Sequence, residues 1–136
     1  MPGMDAASRF APPRGPQPLT PKLLYAVDAK LTPSSPVADV AGLISLASAA
    51  VAAGDGHVLD TSHVIFPNGA ITLVLILAES HLSIHTWPEE DLIAVDLFSC
   101  GAIDGETVIW TLARSLRLTA VSVRKVPRGL QPDPAS

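Results

Sequence analysis

The sequence has little of several residue types, and each shortage excludes a class of protein. Its single cysteine, Cys100, cannot form an intramolecular disulfide, which indicates a reducing compartment and a cytoplasmic protein. Charged residues make up 16% of the 136 residues and hydrophobic residues 48%, so a packed core is expected and global disorder is not. No apolar run reaches the roughly 18 residues that a transmembrane helix needs. The first residues also lack the basic and then apolar layout of a signal peptide. We therefore expect a soluble protein that has no membrane partner.

Basic residues are also scarce. Nine Lys and Arg against 13 Asp and Glu give a formal net charge of −4, and the basic residues are not clustered along the chain. Nucleic acids and anionic membranes are bound through clustered positive charge. The charge pattern therefore argues against both as the main partner of this protein.

Proline-rich stretches delimit one domain. Residues 1–21 contain six prolines and little that could form a core, which predicts a disordered leader. Residues 127–136 are interpreted as a flexible tail for the same reason. Residues 22–126 are long enough for one ordinary domain and too short for two.

The hydrophobic pattern of this domain predicts six strands and two helices. The first helix is expected to begin at Ser35 and Pro36, an N-cap and first-turn pair, and to end at Gly54. The second helix is expected over residues 104–116. The strands are expected at 22–29, 57–66, 71–77, 81–87, 92–99 and 119–126. This order predicts a two-layer α/β sandwich, with a mainly antiparallel sheet and two helices on one of its faces.

Polar chemistry is concentrated in residues 79–89, Glu-Ser-His-Leu-Ser-Ile-His-Thr-Trp-Pro-Glu. On a strand, alternation would place four of these side chains on one face, namely His81, Ser83, His85 and Trp87. Taken alone, this pattern is typical of a surface strand with polar residues facing water. His81 and His85 would lie about 13 Å apart on a strand, too far apart to bind one zinc ion as a helical pair does. We therefore predict that no metal is bound.

The pairing of this strand with the next one adds a second observation. If Trp87 pairs with Leu92 across the short connection, Glu79 lies opposite Cys100, within reach of directly opposed strand residues. The thiol would then lie beside the Glu79–Ser80 peptide bond. A hydroxyl, a thiol and imidazoles in one neighbourhood can support nucleophilic attack and proton transfer. The alternative is that the cysteine is inert packing at a strand end.

Residues 79–89, followed by Ala-Val-Asp-Leu-Phe-Ser-Cys-Gly at 94–101, resemble the signature of the small prokaryotic S-adenosylmethionine decarboxylases. The resemblance implies a self-processing enzyme that is cleaved between Glu79 and Ser80 and converts Ser80 into a covalent pyruvoyl group. Joined to the substrate amine as a Schiff base, this ketone is an electron sink, which no ordinary side chain provides. The product would donate aminopropyl groups for spermidine synthesis, and the processed chains would form a homodimer.

The resemblance also implies catalytic roles for individual residues. Ser80 would attack the carbonyl carbon of Glu79, His85 would assist processing as the base that removes the Hα, and Cys100 would reprotonate the decarboxylated carbon. Five residues of strand span about 16 Å, so His85 cannot touch Ser80 along a straight strand. Either the chain bends at Ser80, or the histidine comes from a second protomer.

Two residues match substrate-binding positions of the family. Trp87 corresponds to an aromatic residue that stacks on adenine. Glu89 corresponds to the acid that binds the ribose hydroxyls, since its two oxygens can accept both O–H groups. Without the resemblance, hairpin packing would be the simpler interpretation of Trp87, and a solvated turn that of Glu89.

Two further positions depend on how the chain is aligned. Counting back from Ser80 without a gap makes Phe66 the second adenine-stacking residue, whereas alignment on His63 makes it Ile65. The ungapped count also places Thr72 where the family has a hydroxyl residue that supports processing.

Departures from the family pattern leave two alternatives open. The first strand lacks the usual Gly-x-His opening, and some relatives use the same pyruvoyl machinery on arginine or ornithine. Trp87 and Glu89 favour the adenosyl substrate over these amino acids. The other alternative is an unprocessed, non-catalytic homologue that binds or regulates a partner, and it predicts an uncleaved chain.

Overall fold

The computed structural model describes residues 21–130, which form six strands and two helices. In chain order these are β1 (Lys22–Lys30), α1 (Val40–Ala53), β2 (Val58–Ile65), β3 (Ile71–Leu77), β4 (Ser80–Trp87), β5 (Leu92–Cys100), α2 (Gly105–Ser115) and β6 (Thr119–Arg128). Residues 1–20 of the expected leader and 131–136 of the expected tail lie outside the described residues. Neither helix of the described range is long and apolar enough to cross a bilayer.

The strands form one sheet in the order β2-β3-β4-β5-β1-β6, and every neighbouring pair is antiparallel. Strands β2 to β5 follow one another along the chain and in space, while β1 lies between β5 and β6. The two helices pack against one face of this sheet. The expected fold class, a two-layer α/β sandwich, is therefore confirmed.

The core lies between the helices and the sheet because each element is apolar on one side. Leu43 and Val51 of α1 are fully buried, and Leu112 of α2 is only 1% exposed. The central strands bury every second residue, namely Leu73 and Leu75 in β3, Leu82 and Ile84 in β4, and Val95 and Leu97 in β5. The residues between them point to the opposite side of the sheet, which we call the open face. No helix of residues 21–130 covers the open face.

The first helix begins later than the sequence predicted. The N-cap of α1 is Asp39, whose carboxylate accepts a hydrogen bond from the N–H of Ala41 at 3.1 Å. The prediction that Ser35 caps this helix, with Pro36 in its first turn, is wrong. The hydroxyl of Ser35 accepts a hydrogen bond from the N–H of Thr32 at 2.8 Å and so closes an earlier turn.

The last strand is longer than expected, because β6 continues to Arg128, which pairs with Lys22. Residues 127 and 128 therefore belong to the sheet, although the sequence placed them in the tail. Pro127 is compatible with this position, since β6 is an edge strand and a proline there removes no hydrogen bond that an inner strand would need.

A close approach of α2 to the sheet gives a test of the packing. A Cβ on Gly105 would lie 2.6 Å from Cζ and 2.9 Å from the phenol oxygen of Tyr25, whose side chain is buried. We expect Gly105→Ala to lower the free energy of unfolding, measured in denaturant, by about 1–3 kcal/mol through overpacking. Gly42→Ala is the control, because its Cβ would contact only the side chain of Asp39. Equal losses in the two variants would contradict this account of the packing.

Candidate functional site

The Glu79–Ser80 peptide bond lies in the turn between β3 and β4. Leu77 pairs with Ser80, so only Ala78 and Glu79 connect the two strands. Two-residue hairpin turns favour residues that tolerate a positive φ, such as Gly and Asn, and this turn contains neither. The positive φ falls instead on Ser80, at +141°, a conformation that costs a non-glycine residue about 1–3 kcal/mol. The backbone is therefore strained at the serine that follows the Glu79 carbonyl.

The carbonyl oxygen of Glu79 accepts two hydrogen bonds from Cys100. The backbone N–H of Cys100 donates at 3.2 Å, and its thiol donates at 3.1 Å. This geometry results from the predicted register, in which Ser80 lies opposite Ser99. Two donors that converge on one carbonyl oxygen can stabilise the negative charge that develops there during nucleophilic attack.

The side chain of Glu79 is held by His57, the residue before β2. One carboxylate oxygen accepts a hydrogen bond from the backbone N–H of His57 at 3.0 Å, and the other lies 2.8 Å from its Nδ1 atom. Burial raises the pKa of Glu79, but hydrogen bonds from the ring and backbone of His57 outweigh it, and the net pKa is below the usual value for glutamate. The Glu79 carboxylate is therefore ionised at neutral pH.

The hydroxyl of Ser80 lies close to a histidine that the sequence analysis did not assign to the reaction. Its Oγ atom is 3.4 Å from Nδ1 of His81. The His81 ring stacks on Phe98, with 5.9 Å between the ring centroids. The guanidinium carbon of Arg128 lies over the same Phe98 ring, 5.6 Å from its centroid. These ring contacts hold an imidazole beside the serine within one chain.

His85, the histidine that the resemblance selected, lies elsewhere on the open face. It pairs with Thr72, whose hydroxyl is 3.2 Å from its Nδ1 atom. The pairing of β4 with β5 runs without a break from Ser80 to Trp87, so His85 is about 16 Å from Ser80 at the usual strand rise. The expected bend at Ser80, seen here as its unusual φ, does not bring Ser80 and His85 together. In the described part of the chain, no three His, Cys, Asp or Glu residues are grouped as metal ligands.

The substrate-binding candidates meet at a cleft of about 530 Å³ beside His85. Phe66, Thr72 and Trp87 line it, and the aromatic side chains are 46% exposed at Phe66 and 37% exposed at Trp87. Glu89 adjoins this cleft, because the side-chain amide of Asn68, a lining residue, donates to its carboxylate at 3.3 Å. Of the two alignments, the ungapped one selects the residue that faces the cleft, Phe66. A cleft of this size with apolar walls and few polar groups is typical of small-molecule sites.

The candidate residues thus form two groups at opposite ends of β4. The cleavage-site group comprises Glu79, Ser80 and Cys100, with His57 and His81 beside them. The cleft group comprises Phe66, Thr72, His85, Trp87 and Glu89. A single chain does not bring the two groups together.

Three polar contacts were missed from the sequence, those of His57, Asn68 and His81. The contact of His57 had a usable signal, since a hairpin around the turn at 67–69 brings residue 57 near residues 78 and 79. The structure has this pairing, in which the N–H of Ala78 donates to the carbonyl of His57 at 2.9 Å. For Asn68 and His81 the sequence offered no comparable signal.

Comparison with known proteins points to one family, since the family model described as S-adenosylmethionine decarboxylase matches residues 24–129. A curated S-adenosylmethionine decarboxylase proenzyme from Picrophilus torridus is 36% identical over 110 residues, which is 79% of this chain and 80% of the relative. Another from Pyrobaculum arsenaticum is 39% identical over 79 residues, or 57% of this chain. The match spans only 59% of the length of that second relative.

A solved structure gives the same assignment. The crystal structure of the adenosylmethionine decarboxylase from Aquifex aeolicus VF5 superposes with a TM-score of 0.69 and 25% sequence identity, covering 84% of this chain and 95% of that one. The matched residues include the whole hairpin that carries the cleavage-site group and the strands that line the cleft. The chain therefore belongs to the S-adenosylmethionine decarboxylase family.

Proposed function

We propose that this protein is a self-processing, pyruvoyl-dependent decarboxylase of S-adenosylmethionine whose product donates aminopropyl groups for spermidine synthesis. The observation that carries the proposal is the Glu79–Ser80 bond, where a strained serine follows a carbonyl that accepts two hydrogen bonds from Cys100. A cleft with two exposed aromatic side chains and an adjoining carboxylate supports the adenosyl substrate over a basic amino acid.

Self-cleavage begins with an acyl shift. The Ser80 oxygen attacks the Glu79 carbonyl carbon, the C–N bond breaks, and the hydroxyl proton passes to the released amine, which leaves an ester. The thiol and N–H of Cys100 stabilise the oxyanion of this step. Removal of the Ser80 Hα then breaks the ester, which releases the α-carboxylate of Glu79 as the end of the first chain and leaves a dehydroalanine. Water hydrolyses the imine tautomer of this residue, which releases ammonia and leaves a ketone at position 80. The products are residues 1–79 and 80–136, the second headed by a pyruvoyl group.

The residues at the cleavage site fit this group. A pyruvoyl ketone supplies an electron sink for the electron pair that the departing CO₂ leaves behind. Cys100 holds a proton beside this position, where its thiol contacts the Glu79 carbonyl before cleavage. Once that carbonyl has left with the N-terminal chain, the thiol is free to protonate the decarboxylated carbon.

We infer that the working enzyme is a homodimer that pairs through the open face. Strand alternation places residues of both groups on this face, His81 and Cys100 from the cleavage-site group and Thr72, His85 and Trp87 from the cleft group. Two large apolar residues lie on the same face, Ile76 and Val126, which are 46% and 41% exposed. A two-fold axis across the middle of β4 would set the cleft group of each copy against the cleavage-site group of the other, so that the dimer would have two equivalent sites. This pairing would supply His85 to Ser80 from the second copy.

Cleavage itself is the first test of the function. We expect the purified wild-type protein to give two chains by denaturing electrophoresis and intact mass, with the break after Glu79. Ser80→Ala should remain one chain, because it lacks the nucleophile. Ser83→Ala, which removes a hydroxyl farther along β4, should be cleaved normally. An active preparation with an intact chain would contradict the mechanism and favour the non-catalytic alternative.

Complementation tests whether the two groups act across an interface. We expect His85→Ala chains to stay uncleaved on their own, and Ser80→Ala chains likewise. When both are expressed together, the His85→Ala chain should be cleaved, because its serine meets the intact His85 of the Ser80→Ala partner. Mass spectrometry distinguishes the chains. Complete failure of cleavage in the mixed dimer would contradict a shared site.

The two tryptophans provide a matched test of the substrate. Trp87→Ala should raise KM for S-adenosylmethionine about 5- to 150-fold, because stacking on a base is worth about 1–3 kcal/mol. Trp110→Ala, which removes a comparably exposed indole from α2, should leave KM unchanged. The measurement is CO₂ release, with arginine and ornithine as alternative substrates. Release from either amino acid but not from S-adenosylmethionine would overturn the substrate assignment.

A further inference from the structure

We propose that His57 is a positioning residue for self-cleavage, which binds the carboxylate of Glu79 and so orients the carbonyl that Ser80 attacks. The inference rests on the proposed function and extends it to a residue outside the signature segment. Its basis is a two-point contact, 3.0 Å from the His57 backbone N–H to one carboxylate oxygen and 2.8 Å from Nδ1 to the other.

The contact keeps the carboxylate of Glu79 from competing with the carbonyl of the same residue for the hydrogen-bond donors of Cys100. The Glu79 carboxylate is ionised and belongs to the same residue as the carbonyl that must take up negative charge. A free carboxylate could turn towards the thiol and N–H of Cys100, which donate to the carbonyl at 3.1 Å and 3.2 Å. Because His57 engages both carboxylate oxygens, the donors of Cys100 remain directed at the reacting carbonyl.

The contact also maintains the strain at Ser80. A residue remains in a rarely populated backbone conformation only when its surroundings hold it there. His57 holds the turn twice, through the Glu79 carboxylate and through its own carbonyl, which accepts the N–H of Ala78 at 2.9 Å. With Cys100 on the other side, rotation of Glu79 cannot relieve the positive φ of Ser80.

The exposure of His57 separates this role from a contribution to the core. Its side chain is 72% exposed, whereas that of Glu79 is 16% exposed. Replacing His57 therefore opens no cavity, and the variant is expected to fold. The role ends when the Glu79–Ser80 bond breaks, so the mature enzyme should not depend on this side chain.

The experiment measures the first-order rate at which newly folded chains are cleaved. We expect His57→Ala to slow cleavage about 10- to 100-fold, because a small misplacement of reacting atoms costs up to about 100-fold in rate. His57→Asn should recover part of the rate, since its amide can donate to the carboxylate. The matched control is His63→Ala, which removes an exposed histidine from the middle of β2, opposite Leu73.

Two further measurements distinguish positioning from a structural role. Once fully cleaved, the His57→Ala enzyme should match wild type in kcat/KM per pyruvoyl group and in denaturant midpoint. The double variant His57→Ala, Glu79→Gln should be no slower than the slower single variant, because both changes act on the contact between Nδ1 of residue 57 and the side chain of residue 79.

Three results would overturn the proposal. One is cleavage of His57→Ala at the wild-type rate, another is an equal slowing in His63→Ala, and the third is a slowed variant that also unfolds early and is not rescued by Asn. Failure of the wild-type chain to cleave would instead overturn the proposed function, and this inference with it.

Discussion

The chemistry proposed for this protein depends on the antiparallel pairing of β4 with β5. That pairing sets Cys100 against the carbonyl of Glu79, and the buried side chains determine its register, because Leu82 lies opposite Leu97 in the core. A slip of one residue would turn every side chain of β4 to the other face. The apolar core thus positions a thiol that belongs to the opposite side of the sheet.

The division of the sheet into a packed face and an open face explains why the site is hard to recognise from pattern alone. β4 alternates as an ordinary amphipathic strand does, and three of its polar residues, His81, Ser83 and His85, occupy the face that helices do not cover. Reactive side chains therefore need no special burial within one chain. Their separation along β4 would become an advantage in the proposed two-fold dimer, since each copy would supply what the other lacks.

Much of this arrangement could be predicted from the sequence because strand alternation and strand rise are local properties. They gave the pairing of Ser80 with Ser99 and the long distance from Ser80 to His85. The start of α1 could not be predicted, since the hydroxyl of Ser35 binds Thr32 in the folded chain. The contact of His57 with Glu79 spans 22 residues. The hairpin brings these residues near each other, but the register shift in the pairing of β2 with β3, which alternation does not reveal, decides which atoms meet.

The position of the Glu79–Ser80 bond would reconcile the proposed self-cleavage with a stable fold. A break inside a strand would remove ladder hydrogen bonds and expose core side chains. A break after Glu79 opens only a two-residue turn, and the strands on both sides remain held by their other neighbours, β3 by β2 and β4 by β5. Leu75 and Leu82, which pair across the cut hairpin, are fully buried in one core. The turn can therefore carry strain that the proposed cleavage would release, while the sheet that would present the new chain end stays intact.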